Sequence, residues 1–136
     1  MNGLLVILSV LFFISGCSYA DEIPKSLAVS CIIGEAENQS LDGMKAVALA
    51  LQNRGTTEGV YGCTSDRVKN RLYSSKIFVQ AVRAYEETRN LGCTWADDTQ
   101  CANSWYSIED VNKDPVIFDR CVFTGKLKDH YFFKCK

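Results

Sequence analysis

The sequence has no marked excess of charge of either sign, which argues against binding to nucleic acids. It contains 15 lysines and arginines and 16 aspartates and glutamates, with a formal net charge of −1 at pH 7. No run of basic residues forms a stripe that could follow a nucleic-acid backbone. We therefore expect no nucleic-acid partner.

The chain also lacks the patterns of a zinc site, a catalytic triad and a multidomain protein. Zinc sites usually contain close cysteine pairs such as C-x-x-C, and the tightest spacing here joins Cys93 to Cys101. The only histidine, His130, has no serine or cysteine nucleophile context. There is no internal repeat, low-complexity tract or linker. We expect one mature domain over residues 21–136, without metal or cofactor, that acts as a monomer.

The first twenty residues contain no charged side chain. Leu4 to Ile14 is apolar apart from Ser9, a length typical of the hydrophobic core of a signal peptide and shorter than the roughly 20 residues of a transmembrane helix. We predict a signal peptide over residues 1–20. Contact with a membrane is then expected only through this segment or through a lipid on Cys17.

Two cleavage patterns overlap in this segment. Ile14-Ser15-Gly16-Cys17 resembles a bacterial lipobox, whereas Ser18-Tyr19-Ala20 resembles an ordinary A-x-A-type site. A third interpretation keeps the segment as a membrane anchor. The expected destination is the periplasm, the outer membrane as a lipoprotein, or the extracellular space.

Loss of Cys17 during processing would leave an even number of cysteines. An even number in a short exported chain predicts three disulfides, in any of 15 pairings. A bridge of this kind commonly stabilises a small domain by about 2–4 kcal/mol. The six cysteines are Cys31, Cys63, Cys93, Cys101, Cys121 and Cys135.

Hydrophobic spacing predicts a mainly helical amino-terminal part. Helices are expected over 24–35, after an N-cap at Ser40, over 66–72, and over 76–91 with Ser75 as its cap. From Cys93 onward the helical period is lost, and 116–123 and 129–134 are predicted to be extended. The predicted class is α+β, mainly α.

Glu35 is the strongest candidate for chemistry. It follows two isoleucines, Ile32 and Ile33, and lies between Gly34 and Ala36, which leave room for a substrate near the backbone. A glutamate that acts as a general acid must be protonated near neutral pH, which requires apolar surroundings or a like charge. The alternative is a solvated glutamate near a helix end.

The stretch from residue 34 to 54 resembles the signature of the SleB-like cell-wall hydrolases, the spore-cortex-lytic family. Its elements are Gly34–Ala36, Gly43, Ala46–Ala48 and Asn53–Arg54, in the order GEA, G, AVA, NR. The resemblance implies a small lysozyme-like transglycosylase domain that cleaves peptidoglycan glycan strands, with Glu35 as the catalytic acid.

This sequence departs from the family after GEA. Many members carry an arginine there and a second acid two positions later, where this chain has Glu37 and Gln39. Two positions apart on a helix, Glu35 and Glu37 should face different directions.

Two later segments resemble weaker motifs of the same family. Asn103, Ser104, Trp105 and Tyr106 are similar to part of G-A-x-x-F-Y, where aromatic rings suit a sugar face and the polar pair suits hydrogen bonds. The alternative is aromatic residues that fill a small core.

The second of these segments contains the only histidine. His130 and Tyr131 fall in a stretch similar to G-x-H-x-F-Y-basic, and the resemblance implies that they line the cleft. A buried histidine with a structural role is the alternative.

These candidates favour a lytic transglycosylase over a glycoside hydrolase. Hydrolases of the usual type need two carboxylates, and no second acid stands in a catalytic context; the acids considered are Asp42, Asp97, Asp98, Glu109 and Asp110. A transglycosylase works with one acid and leaves 1,6-anhydro-N-acetylmuramic ends. Two other interpretations remain open: a disulfide-rich peptidoglycan- or sugar-binding module without catalysis, and a non-enzymatic surface lipoprotein.

Overall fold

Helices dominate the amino-terminal part of the fold, and a small sheet lies in the carboxy-terminal part. The computed structural model describes residues 22–91 and 101–136. The first part contains α1 (Lys25–Ala36), α2 (Leu41–Arg54), a 3₁₀ turn (Tyr61–Thr64), α3 (Asp66–Lys69) and α4 (Ser75–Thr88). The second contains β1 (Ser104–Ser107), α5 (Ile108–Lys113), α6 (Ile117–Arg120), β2 (Cys121–Leu127) and β3 (His130–Cys135). The predicted mixture of helix and sheet is confirmed.

Some predictions fall outside the described residues. These are the signal segment over residues 1–20 with Cys17, and the roles of Cys93, Asp97 and Asp98. The predicted helix over 76–91 lies within the described residues and ends earlier, at Thr88.

Side-chain caps fix where α2 and α4 begin. The Ser40 hydroxyl accepts a hydrogen bond from the Gly43 N–H at 3.4 Å, as the N-cap prediction requires. Helix α4 is capped by Ser74, which accepts from the Ile77 N–H at 3.3 Å, so the prediction of Ser75 as the cap is wrong by one residue. The predicted helix over 66–72 ends at Lys69, because Arg71 adopts a left-handed φ of 53°.

The main core lies where α1, α2 and α4 pack together with one face of the sheet. Its largest fully buried side chains include Ile32, Met44, Leu51 and Phe132. Ala48 and Ala50 of α2 and Ala81 and Ala84 of α4 are also buried, so these two helices approach closely.

The sheet is antiparallel, with strand order β1-β3-β2. Trp105 pairs with Phe132, and both contact the main core. Their neighbours Tyr106 and Phe133 belong to a second cluster with Val111 and Ile117, which α5 and α6 provide. Because successive side chains of a strand point to opposite faces, Trp105 and Tyr106 lie on different sides of the sheet.

The predicted loss of helix after Cys93 is wrong in two places. Ser107 caps α5 by accepting a hydrogen bond from the Asp110 N–H at 3.1 Å. Residues 117–120 form α6, so only the end of the predicted extended piece over 116–123 is strand. Burial of Ile117 against the sheet and an ion pair between Asp114 and Arg120 stabilise this region.

Disulfides join neighbouring elements in both parts. Cys31 is bonded to Cys63 and Cys121 to Cys135. Cys101 is also disulfide-bonded. The prediction of disulfides is therefore confirmed for the five cysteines that the structure describes. Within residues 22–91 and 101–136, no helix combines the length and apolar character needed to cross a membrane.

Asn103 fastens the start of β1 to the end of β3. Its amide nitrogen donates to the Cys135 carbonyl, and its amide oxygen accepts from the Cys135 N–H, both at 2.8 Å. The side chain thus extends the ladder between the two strands. Its hydrogen-bonding groups are used within the protein.

We predict that Asn103→Ala lowers the free energy of unfolding by about 1–3 kcal/mol, since two partly buried backbone groups lose their partners. Urea unfolding followed by circular dichroism measures this change. Asn112→Ala is the matched control, because Asn112 is exposed on α5. Equal stability of the two variants would contradict the role of Asn103.

Candidate active site

Glu35 lies in the last turn of α1, half-buried, with both carboxylate oxygens hydrogen-bonded. Its Oε1 accepts from the backbone N–H of Gly62 at 2.6 Å. Its Oε2 accepts from the indole N–H of Trp105 at 3.0 Å. One donor comes from the 3₁₀ turn and the other from β1, so distant parts of the chain orient one carboxylate.

Two glycines allow this approach. A Cβ added to Gly34 would collide with the backbone of Gly62, and a Cβ added to Gly62 would lie 2.6 Å from Oε1 of Glu35. The disulfide between Cys31 and Cys63 holds the same two segments together. The interpretation that Gly34 and Ala36 make room for substrate is wrong, because Gly62 occupies the space at Gly34 and Ala36 is fully buried.

Glu35 lines a cleft of about 500 Å³ between the loop after α2 and the β1–α5 segment. Three of the predicted substrate-binding residues, Ser104, Trp105 and Tyr106, line the same cleft. A cleft of this size accommodates a small ligand or a few sugar units.

Tyr61 was missed by sequence reasoning. It lies beside Gly62 in the 3₁₀ turn, lines the cleft and is 87% exposed. A large aromatic ring left in water at the rim of a cleft is suited to stacking on a sugar face. The sequence feature that could have identified it is an aromatic residue among the glycines before Cys63. That segment is predicted from the sequence only as a loop.

Charged groups of both signs line the cleft. Arg54 donates to the Glu58 carbonyl at 2.6 Å, and Lys113 is at the end of α5. Neither has an ion pair with any residue in the described ranges. Two acids line the same cleft: Asp110, which is on α5, and Asp114, which directly follows that helix.

Other predicted residues are held elsewhere. Glu37 pairs with Arg67 and does not line this cleft. Tyr131 lies on the other face of the sheet from Trp105, where the Lys126 ammonium is 5.2 Å from its ring centre. Asn103 holds Cys135, as described above.

His130 is buried close to the negative charges of the site. It is 8% exposed, and its Nδ1 has no hydrogen-bond partner among the described residues. Burial lowers the pKa of His130 below its usual value of 6.5, and the charges of Glu35, Asp129 and Asp110 oppose this effect. The imidazole is therefore neutral at pH 7.

We predict that part of the stability of the protein is lost on acidification through His130. Its pKa is lower in the folded state than in the unfolded state, so the unfolded chain binds the proton more readily. The contribution is present above about pH 6.5 and is lost as the pH falls through the folded pKa.

The comparison is between wild type and His130→Gln, whose side chain does not titrate. Chemical unfolding at several values between pH 8 and 5 should give a steeper fall in the free energy of unfolding for wild type. Parallel curves would contradict the prediction, because carboxylates contribute equally to both proteins.

Comparison of the chain with protein-family models, with curated proteins and with solved structures gives no match.

Proposed function

We propose that the protein is an exported enzyme with a lysozyme-like active site that cleaves the glycan strand of peptidoglycan. One observation carries the proposal: the Glu35 carboxylate is oriented by the Gly62 and Trp105 N–H groups in the wall of an open, aromatic-lined cleft. A fixed carboxylate that reaches a cleft fits general acid catalysis on a glycosidic bond. The sequence resemblance assigns the same residue to the same role.

The chemistry needs one proton carrier. Glu35 gives its proton to the glycosidic oxygen as the bond to the anomeric carbon breaks. The Gly62 and Trp105 N–H groups then stabilise the carboxylate that forms. The C6 hydroxyl of N-acetylmuramic acid attacks the anomeric carbon and returns a proton to Glu35. The product carries a 1,6-anhydro end, and no water is consumed.

The intramolecular hydroxyl has an advantage over water. It is held next to the anomeric carbon, where the effective molarity of a well-placed group is far above that of a free reactant. This argument favours the transglycosylase product over the hydrolase product.

The cleft supports a polysaccharide substrate with acidic groups. Tyr61 and Trp105 offer aromatic surface to sugar rings, whereas Tyr106 also lines the cleft but packs its ring edge-on against Phe133. Arg54 and Lys113 provide positive charge for the carboxylates of the stem peptides of peptidoglycan. We propose peptidoglycan strands as the partner on these grounds.

The disulfides favour export. Disulfides persist in oxidising compartments, and all five described cysteines are bonded. Together with the apolar segment over 1–20, this supports a protein delivered outside the cytoplasm.

A sugar-binding module without catalysis is the second candidate. One observation favours it: both oxygens of Glu35 are occupied by donors of the protein, which is also the pattern of a structural carboxylate. Such a module would bind peptidoglycan through the same aromatic residues and leave it intact.

We predict that Glu35→Gln reduces the lytic activity by 10²–10⁴-fold, the usual magnitude of general acid catalysis. The substitution keeps the side-chain volume and removes the acidic proton. Loss of turbidity of purified peptidoglycan measures activity, and thermal unfolding checks the fold. Glu37→Gln is the control, because Glu37 pairs with Arg67 and does not line the cleft.

A Glu35→Gln variant with more than about a tenth of wild-type activity would contradict the assignment. Wild-type protein that sediments with peptidoglycan but releases no fragments would establish the binding module instead.

We further predict that the released muropeptides carry 1,6-anhydro-N-acetylmuramic ends. Mass spectrometry identifies these ends, because they lack one water relative to ordinary reducing ends. Reducing N-acetylmuramic ends alone would identify a hydrolase. Reducing N-acetylglucosamine ends would place the cleavage at the other glycosidic bond.

A further inference from the structure

The cleft contains a second carboxylate in a fixed position. Asp110 lies in the first turn of α5 and lines the cleft together with Glu35. The Ser107 hydroxyl donates to Oδ2 of Asp110 at 2.8 Å, while the Asp110 N–H donates to the same hydroxyl oxygen at 3.1 Å. These two hydrogen bonds join the exposed Asp110 side chain to the residue that caps its helix.

The acids near Asp110 in sequence either have a cationic partner or lie outside the cleft. Asp114 also lines the cleft, but Arg120 binds its carboxylate at 2.5 Å. Glu109 precedes Asp110 on α5 and does not line the cleft. Asp110 has no cationic partner within the described ranges, so its negative charge is available to a ligand.

The charges of Glu35 and Asp110 also both act on the side chain of His130. This side chain is buried and belongs to the strand that pairs with β1. The neutral imidazole does not cancel either charge. The site therefore combines two carboxylates. Glu35 on α1 accepts from two N–H groups, and Asp110 on α5 accepts from one hydroxyl group.

We propose that Asp110 is a second catalytic residue, an anion that stabilises the positive charge that develops on the sugar ring during bond cleavage. The inference rests on the proposed function and assigns a further role within the same site. As Glu35 protonates the leaving oxygen, positive charge is shared between the anomeric carbon and the ring oxygen. A fixed carboxylate facing that charge lowers the barrier, because it is already oriented before the reaction.

Asp110 exchanges no proton in this role. The proton of Glu35 goes to the leaving oxygen, and the proton of the C6 hydroxyl goes to Glu35. The bond from the anomeric carbon to the leaving oxygen breaks, and the bond from the same carbon to O6 forms. No oxidant, reductant or metal is needed.

The test uses the full-length protein with Asp110→Asn and, as a matched control, Glu109→Gln. Both substitutions remove one negative charge from α5, but only the first changes the cleft. Asparagine keeps an oxygen that accepts from Ser107, so the helix cap is preserved. Soluble peptidoglycan glycan fragments are the substrate, kcat and KM are determined separately, and mass spectrometry identifies the product ends.

We expect Asp110→Asn to lower kcat by about 100-fold or more, the magnitude of losing one electrostatic contact in the transition state, with KM changed less than about threefold. Glu109→Gln should match wild type, and anhydro ends should remain in every product. An unchanged kcat, an equal loss in Glu109→Gln, or a raised KM at constant kcat would overturn the proposal.

Product ends separate this role from that of a base. If wild type releases reducing ends and Asp110→Asn releases only anhydro ends, Asp110 activates water and the stabilising role is wrong. If wild type cleaves, Glu35→Gln does not, and Asp110→Asn behaves as wild type, only this inference fails. Absence of cleavage by wild type would overturn the proposed function and the inference together.

A second measurement does not depend on activity. His130 is the only histidine, so its imidazole resonances can be followed in an NMR titration. The charge of Asp110 raises the pKa of His130, and Asp110→Asn should therefore lower that pKa relative to Glu109→Gln. Identical titrations would show that Asp110 does not face the interior of the site.

Discussion

The two hydrogen bonds to Glu35 are the constraint on which the rest of the site depends. They connect the end of α1 to the 3₁₀ turn through Gly62 and to β1 through Trp105. Because both of its oxygens accept hydrogen bonds from other segments, this side chain holds three segments in one arrangement. The close backbone approach of Gly34 and Gly62 and the Cys31–Cys63 disulfide maintain the same contact.

A carboxylate that holds the fold together can also perform chemistry. Each N–H donor that positions Glu35 would also stabilise the anion left after proton donation. The buried, neutral His130 behind the site leaves the charges of Glu35 and Asp110 uncompensated from that side. The structural role of Glu35 and its proposed catalytic role therefore draw on the same contacts, and product analysis separates them better than stability measurements do.

The two faces of the small sheet have different structural roles. One face, through Trp105 and Phe132, completes the main core and reaches Glu35. The other face, through Phe133, packs under α5 and α6 and so places Asp110 on the cleft. Asn103 and the Cys121–Cys135 disulfide fix the strands at their ends. The position of the second wall of the cleft thus depends on strand register.

The sequence by itself determined the long helices and the principal candidate residue. Caps such as Ser40 and the apolar spacing of α1 and α2 act within a few residues, so they are visible in the chain. The cap of α5, Ser107 with Asp110, was equally local and was overlooked. Helix α6 carried no such signal, since it has no side-chain cap and its burial against the sheet is a tertiary contact.

Only the tertiary structure decided which residues share the cleft. Tyr61 and Asp110, which line the cleft, and Gly62, which donates to Glu35, are distant from Glu35 in sequence, and nothing in their local patterns indicates that they meet it. The alternation of side chains along β1 and β3 directs Trp105 and Tyr131 to opposite faces, although both belong to aromatic motifs that look alike in sequence. The sequence gives the chemical type of each side chain, whereas the direction and partners of that side chain depend on contacts between distant segments.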